Sequence, residues 1–230
     1  NNKTEDELKM AIKYGVGRII VDNFNELYKL AELTAKMEKK SNIYLRITPG
    51  IEANTHDFIK TGQIDSKFGF TLENGDALKA VKTAVKLNSI TLKGVHCHIG
   101  SQIFDEEPFV FAAKIMMDFI AQIRDTTGVT LTELNLGGGF GVRYTKDDKP
   151  MSFGGNMRKV LKTLEERAVY HNLTKPYIII EPGRSVVGPA GITLYTVGAV
   201  KDIPGVRTYV SIDGGMTDNP RYALYKAPYT

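Results

Sequence analysis

The sequence has a single cysteine and no long apolar run, and both absences limit what the protein can be. With only Cys97 available, no intramolecular disulfide can form, which fits a reducing compartment. No apolar run approaches the roughly 20 residues that span a bilayer. The first residues also lack the character of a signal peptide. We therefore expect a soluble, cytoplasmic protein without a membrane partner.

The excess of positive charge is small, because 30 Lys and Arg residues stand against 26 Asp and Glu residues. Many lysines, such as Lys36, Lys79 and Lys82, fall between apolar positions of helical period. This spacing is typical of solvated helix faces rather than of a nucleic-acid surface. With 42% hydrophobic residues, the 230-residue chain can bury a sizeable core.

Short apolar runs alternate with longer segments of helical period, which predicts repeated βα units around a parallel sheet. The predicted strands are residues 18–21, 43–47, 94–99, the run before Gly137, and residues 177–180. Residues 48–70 are rich in Gly, Asn, Asp and Thr and have no sustained period. They predict a long loop on the functional rim.

The pattern changes after Arg184, where residues 192–200 and 206–212 are predicted as strands without a helix between them. We place a domain boundary near Ser185. Residues 1–184 are predicted to form a barrel domain that lacks its first strands, and residues 185–230 the start of a C-terminal β domain.

The five predicted βα units are too few for a closed barrel, because a (β/α)8 barrel needs eight strands. The chain also opens on a helix rather than a strand. We therefore expect a partial TIM-like barrel within a longer protein. A compact doubly wound domain is the alternative.

Polar residues and glycines directly follow three of the predicted strands. His98 and Ser101 lie at the end of the third, a glycine run begins at Gly137 after the fourth, and Glu181 and Arg184 follow the fifth. Parallel α/β folds place their chemistry at the carboxyl ends of strands. The three strand ends therefore suggest one site.

The run Gly137, Gly138 and Gly139 would let backbone N–H groups approach an anion, and phosphate is the usual occupant in barrels. A tight turn explains such a run equally well. The run does not match the dinucleotide-binding fingerprint, because Val142 and Tyr144 stand where a third glycine is required.

His98 is either a structural imidazole or a flat ring that stacks on an aromatic cofactor, with Ser101 supplying a hydrogen bond to a phosphate. His96 and His98 could together bind a metal. Because no third ligand stands at a suggestive spacing, we expect no metal site.

Glu181 precedes Pro182, which favours an extended conformation that carries the carboxylate beyond the strand end. The carboxylate could pair with Arg184, or it could face a protonated ring nitrogen and strengthen an electron sink. Arg184 could bind a phosphate or a substrate carboxylate with two hydrogen bonds.

Four segments together resemble the diaminopimelate decarboxylase family, pyridoxal-phosphate enzymes with the alanine-racemase-like barrel also found in ornithine decarboxylases. The segments are HIGSQ at residues 98–102, GGGFG at 137–141, EPGR at 181–184 and DGGMTDNPRYALY at 213–225. They occur in the family's order, and the resemblance covers essentially the whole chain. Arg46 and residues 67–69 also match the family's rim.

The resemblance implies a site for pyridoxal 5'-phosphate. His98 would stack on the pyridine ring and Glu181 would pair with the ring nitrogen, and these two are the expected catalytic residues. The remaining expected cofactor-binding residues are Ser101, Gly137, Gly138, Gly139, Pro182, Gly183 and Arg184.

The resemblance also implies the substrate. Arg184, Arg221 and Tyr225 would bind a substrate carboxylate, as suits a molecule with two amino-acid ends. The implied reaction is decarboxylation of meso-2,6-diaminopimelate to L-lysine and CO2, the last step of lysine biosynthesis. The alternatives are an ornithine- or arginine-type decarboxylase, an amino-acid racemase, or an inactive regulatory homologue.

The family's Schiff-base lysine is expected upstream of residue 1, and its later cysteine, acidic and tyrosine motifs beyond residue 230. We therefore expect the 230 residues alone to be inactive and the full-length protein to be active. The resemblance further implies a homodimer whose sites draw residues from the partner's β domain.

Overall fold

A parallel sheet with helices packed against it forms most of the molecule. The computed structural model describes residues 2–51 and 66–227. Its elements are α1 (Glu5–Lys13), β1 (Ile19–Val21), α2 (Phe24–Lys36), β2 (Ser41–Thr48), β3 (Phe70–Thr71), α3 (Asp76–Ala84), β4 (Ile90–His96), α4 (Glu107–Thr127), β5 (Glu133–Asn135), α5 (Phe153–Tyr170), β6 (Tyr177–Ile179), α6 (Gly183–Val187), β7 (Val197–Ile203), β8 (Arg207–Ile212) and α7 (Pro220–Tyr225).

The strands of the main sheet are ordered β1-β2-β4-β5-β6, and each pairs with its neighbour in parallel. The short strand β3 pairs in parallel with the end of β2. Within the described residues this sheet contains the five predicted βα units, so the predicted α/β class is confirmed. Because all these strands point the same way, their carboxyl ends lie along one edge.

Local sequence signals set where several helices begin and end. A capping box is present at α1, because the Thr4 hydroxyl accepts from the Glu7 backbone N–H and the Glu7 carboxylate accepts from the Thr4 N–H. Pro108 stands in the first turn of α4, and Gly128 ends that helix with a positive φ of 73°. These local contacts therefore fix where α1 begins and where α4 begins and ends.

The core lies between the helices and the sheet. On α4 the buried face includes Phe109, Ala112, Met116, Phe119 and Ile123. On α5, Val160, Leu164 and Ala168 are buried, whereas Leu161 is 37% exposed because it lies on a different face of the helix.

A polar link joins two strands that are not neighbours. The Arg18 guanidinium donates to both carboxylate oxygens of Glu133, at 2.6 and 2.5 Å, and the Tyr44 hydroxyl donates to the same carboxylate. Burial, followed by the nearby Glu133 carboxylate, raises the pKa of Tyr44 to about 12. Because β2 and β4 separate β1 from β5, this contact requires the sheet to curve.

Two predicted strands differ most from their bounds in the structure. The strand predicted at residues 94–99 is β4, Ile90–His96, which starts earlier and ends before His98. The strand predicted from residue 192 begins only at Val197, because its partner β8 ends opposite that residue at Ile212. A strand needs a paired neighbour, which sequence periodicity does not reveal.

Three short elements were not predicted from the sequence: β3, α6 and α7. Most of the long loop predicted at residues 48–70 lies outside the described residues. Strands β7 and β8 form an antiparallel pair with exposed side chains. The domain boundary predicted near Ser185 falls within α6 and stays a prediction.

We predict that Gly94→Ala destabilises the protein by about 2 kcal/mol, the usual cost of overpacking. A methyl group at Gly94 would lie 2.1 Å from the Glu133 carbonyl oxygen, so β4 and β5 would have to separate. The free energy of unfolding, measured by urea denaturation of the whole protein, checks this. Gly17→Ala is the control, because no atom lies within 4 Å of its added methyl group. Equal stabilities for the two variants would contradict the prediction.

Candidate active site

The loops that follow β4, β5 and β6 meet at the carboxyl edge of the sheet. The Gly138 N–H donates to His98 Nδ1 at 3.3 Å, and the Glu181 N–H donates to the Gly137 carbonyl at 2.7 Å. The Ile103 N–H donates to the Gly139 carbonyl at 3.0 Å. The structure therefore brings the three polar strand ends together.

The glycine run allows these loops to touch backbone to backbone. A Cβ atom at Gly137 would lie 2.4 Å from the Cys97 carbonyl oxygen, and one at Gly138 would lie 2.1 Å from the Glu181 carbonyl oxygen. Gly139 has a φ of 103°, which other residues rarely adopt. The glycines therefore have a packing role in addition to any contact with an anion.

Most of the N–H groups in the run are already used. The Gly137 N–H donates to Asn135 Oδ1 at 2.9 Å, and the Gly138 N–H donates to His98. Among the described residues, the Gly139 N–H has no acceptor. One backbone donor of the run thus remains for a bound anion, fewer than the sequence suggested.

Glu181 presents an ionised carboxylate at the end of β6. Its Oε1 atom accepts from Asn135 Nδ2 at 2.9 Å and lies 3.6 Å from His96 Nε2. The His96 ring, with a further contribution from Asn135, holds the pKa of Glu181 at about 2. The side chain is 44% exposed, and Oε2 has no partner among the described residues. Oε1 therefore accepts a hydrogen bond within the protein, whereas Oε2 can accept one from a bound ligand.

His98 is neutral at physiological pH, because burial and the nearby Arg46 charge lower its pKa to about 4. Its Nδ1 atom accepts the Gly138 N–H, so the ring proton resides on Nε2. A neutral, partly buried imidazole at the carboxyl edge of the sheet is suited to stack on an aromatic ring. Stacking is one of the two roles that the sequence left open for His98.

Arg184 lies next to Ser101. One guanidinium nitrogen donates to the Ser101 hydroxyl at 3.3 Å and another donates to the Tyr144 hydroxyl at 2.9 Å. Within the described part of the chain, Arg184 forms no ion pair with Glu181. The ion-pair interpretation of these two residues is therefore wrong, because Glu181 is held by Asn135 and His96 instead.

Sequence reasoning missed Tyr144, which it used only to exclude a dinucleotide fingerprint. Asp148 accepts the Tyr144 N–H at 2.9 Å. Gln102 binds both the N–H and the carbonyl of Val142, at 2.9 and 3.1 Å. These contacts hold the loop that places the Tyr144 hydroxyl against Arg184.

Three polar residues form a row across β2, β4 and β5. Sequence reasoning did not predict this row. Arg46, His96 and Asn135 are aligned in register on β2, β4 and β5. Arg46 lies 3.7 Å from Asp22 and packs over the Phe68 ring at 4.6 Å from its centre. The available signal was that His96 and Asn135 each close an apolar strand, whereas Arg46 interrupts one two residues before its end.

Arg221 and Tyr225 lie one turn apart on α7. The Arg221 guanidinium is 5.6 Å from the centre of the Tyr225 ring. The two side chains are therefore neighbours. Their role in binding a substrate carboxylate stays a prediction.

The residues at the strand ends fit pyridoxal phosphate. The open Oε2 atom of Glu181 can accept from a protonated ring nitrogen, and neutral His98 offers an uncharged ring face. On the same edge, Ser101, Arg184 and the Gly139 N–H offer donors to a phosphate. Neighbouring loops thus provide an acceptor for the ring nitrogen and donors for the phosphate.

Comparison with known proteins gives the same family. Residues 1–188 match the model of the pyridoxal-dependent decarboxylase, pyridoxal binding domain. Diaminopimelate decarboxylase of Bacillus subtilis is 50% identical over 229 residues, which are all of this chain and 52% of that protein. The Staphylococcus aureus enzyme of that name is 42% identical and is covered to 53%.

A solved structure is also similar. The diaminopimelate decarboxylase of M. jannaschii in complex with L-lysine superposes with a TM-score of 0.85 at 35% identity. The match covers 100% of this chain and 52% of that one. The chain thus spans about half the length of the relatives it matches. On the family match to residues 1–188, the chain belongs to the pyridoxal-dependent decarboxylase family through its pyridoxal-binding domain.

Proposed function

We propose that the whole protein is a diaminopimelate decarboxylase that converts meso-2,6-diaminopimelate to L-lysine and CO2. The observation that carries the proposal is the ionised Glu181 carboxylate, with one oxygen open, beside neutral His98 and the Arg184–Ser101 pair. The relatives bearing that enzyme name, at up to 50% identity, support the choice of substrate.

Pyridoxal phosphate, when bound, supplies an electron sink for the charge that CO2 leaves behind. Glu181 would hold a proton on the ring nitrogen, because a fixed anion favours the cationic form of a neighbouring base. His98 would cover one face of the ring and exclude water there. At neutral pH a pKa of about 4 leaves His98 uncharged and a pKa of about 2 leaves Glu181 ionised, as these two roles require.

The phosphate would be bound by the Ser101 hydroxyl, the Arg184 guanidinium and the Gly139 N–H. Gly137 and Gly138 would form the wall of the site, since their own N–H groups are used internally. Pro182 and Gly183 would set the backbone after Glu181, where the Gly183 N–H donates to the Glu181 carbonyl at 2.8 Å.

Arg221 and Tyr225 would bind the carboxylate at the unreactive end of the substrate. A guanidinium with a neighbouring phenol suits a carboxylate, which accepts several charge-assisted hydrogen bonds. Ornithine has no second carboxylate. This pair therefore favours diaminopimelate over ornithine.

We also propose that the whole protein acts as a cytoplasmic homodimer, as the family resemblance implies. The buried, free thiol of Cys97 supports a reducing compartment. None of the helices in residues 2–51 and 66–227 combines the length and apolar character needed to cross a bilayer.

The proposed reaction predicts a preference between two amino acids. We expect the whole protein with pyridoxal phosphate to release CO2 from meso-diaminopimelate and to process ornithine at least 100-fold less efficiently, a difference of about 3 kcal/mol in transition-state binding. Measurement of kcat/KM for both substrates, with cofactor-depleted protein as the control, checks this. Faster turnover of ornithine would overturn the proposed substrate.

Loss of the proposed contact between Arg221 and the distal carboxylate of the substrate should weaken substrate binding. We expect Arg221→Leu to raise KM for diaminopimelate about 100-fold, the effect of losing hydrogen bonds to a charged group. The matched control is Arg207→Leu, because Arg207 likewise lies over a tyrosine ring on the same segment, at 5.9 Å from the centre of Tyr209. An unchanged KM in Arg221→Leu would remove that residue from the substrate site.

The neutral state of His98 predicts a pH dependence of stability. The pKa of His98 falls from 6.5 to about 4 on folding, so the unfolded chain binds more protons between these values. We expect the cofactor-free protein to lose stability as pH falls from about 6.5 to 4, and His98→Gln to lose less. His96 also has a lowered pKa, so part of the dependence of stability on pH remains in His98→Gln. Identical slopes in urea unfolding at stepped pH would contradict the prediction.

A further inference from the structure

His96 is a buried polar side chain without a hydrogen-bonded partner. It is 3% exposed at the end of β4, and neither ring nitrogen forms a hydrogen bond with another described residue. A buried polar group left unpaired is costly, and such groups are rare in folded proteins. The ring therefore calls for a functional explanation.

Charged and titratable groups near His96 come from several segments at this edge of the sheet. Arg46 lies beside it on β2, Asp22 follows β1, His98 lies two residues further on, and Glu181 follows β6. The closest polar contact joins His96 Nε2 to Glu181 Oε1 at 3.6 Å, slightly longer than a hydrogen bond. Burial lowers the pKa of His96, so its ring is neutral and carries one N–H.

The Glu181 oxygen nearest to His96 already has one donor. Asn135 Nδ2 donates to Oε1 at 2.9 Å, from the strand next to His96 in the sheet. A second donor at the same oxygen would fix the rotation of the carboxylate group. The other oxygen, Oε2, has no partner among the described residues.

We propose that His96 is a positioning residue that directs its Nε2–H at Glu181 Oε1 and, with Asn135, orients Oε2 toward the ring nitrogen of the bound cofactor. A neutral ring suits this task, because a cationic ring would compete with the cofactor nitrogen for the same carboxylate. The part of the inference that concerns the cofactor rests on the proposed function. The contact between His96 and Glu181 does not.

The contact is tested first without cofactor. In the whole protein, the pKa of Glu181 can be followed by NMR with carboxyl-13C glutamate, assigned through Glu181→Gln. We expect about 2 for the wild type and a clear rise toward 4.5 in His96→Leu. His96→Gln, which keeps a side-chain N–H donor, should restore most of the shift. An unchanged pKa in His96→Leu would overturn the inference.

The second test measures the dissociation constant of pyridoxal phosphate by fluorescence titration. We expect His96→Leu to weaken binding about tenfold, the effect of one hydrogen bond to a charged group, and His96→Gln to stay within about threefold of wild type. Asn156→Leu is the matched control. Asn156 is 0% exposed and its side-chain atoms have no partner among the described residues, but it lies on α5.

The outcomes separate the two proposals. Wild-type protein that fails to bind pyridoxal phosphate would refute the proposed function, while the NMR result would still decide the role of His96. With a wild type that binds, equal affinities of His96→Leu and Asn156→Leu would overturn the positioning role. A loss in His96→Leu that His96→Gln does not rescue would also overturn it, because it would indicate a purely structural ring.

Discussion

The candidate site depends on backbone contact between the loops that follow β4, β5 and β6. At Gly138, even a methyl group would lie 2.1 Å from the Glu181 carbonyl oxygen, and at Gly137 it would lie 2.4 Å from the Cys97 carbonyl oxygen. Because side chains are absent there, the polar groups of three separate strands reach hydrogen-bonding distance. The glycines therefore create the proximity on which the chemistry relies, in addition to offering one N–H to an anion.

The charge pattern at this edge of the sheet follows from burial and from donor placement. Burial keeps His96 and His98 neutral, whereas the donors around Glu181 keep its carboxylate ionised. Glu181 thus presents a fixed anion beside two neutral histidines, and Arg184 provides a cation beside Ser101. Such an arrangement suits a cofactor that carries a cationic ring nitrogen and an anionic phosphate, because each charge meets its opposite on a different loop.

Much of the fold and of the site could be predicted from sequence, since alternating apolar runs and helical periods define βα units, and parallel strands end at one edge. That logic correctly placed His98, Ser101 and Glu181 together. It missed Asn135 and Tyr144, because their contacts reach residues 46 and 40 positions away along paths that periodicity does not encode. Strand limits failed for a related reason, since they depend on where the paired neighbour ends.

The most direct test of the central claim is a crystal structure of the whole protein with pyridoxal phosphate bound. The account predicts that Glu181 Oε2 lies about 2.8 Å from the ring nitrogen while Oε1 keeps its contacts with Asn135 and His96. It also predicts that the phosphate contacts Ser101 and Arg184. A cofactor whose ring nitrogen faces another group, or one bound away from these strand ends, would contradict the account.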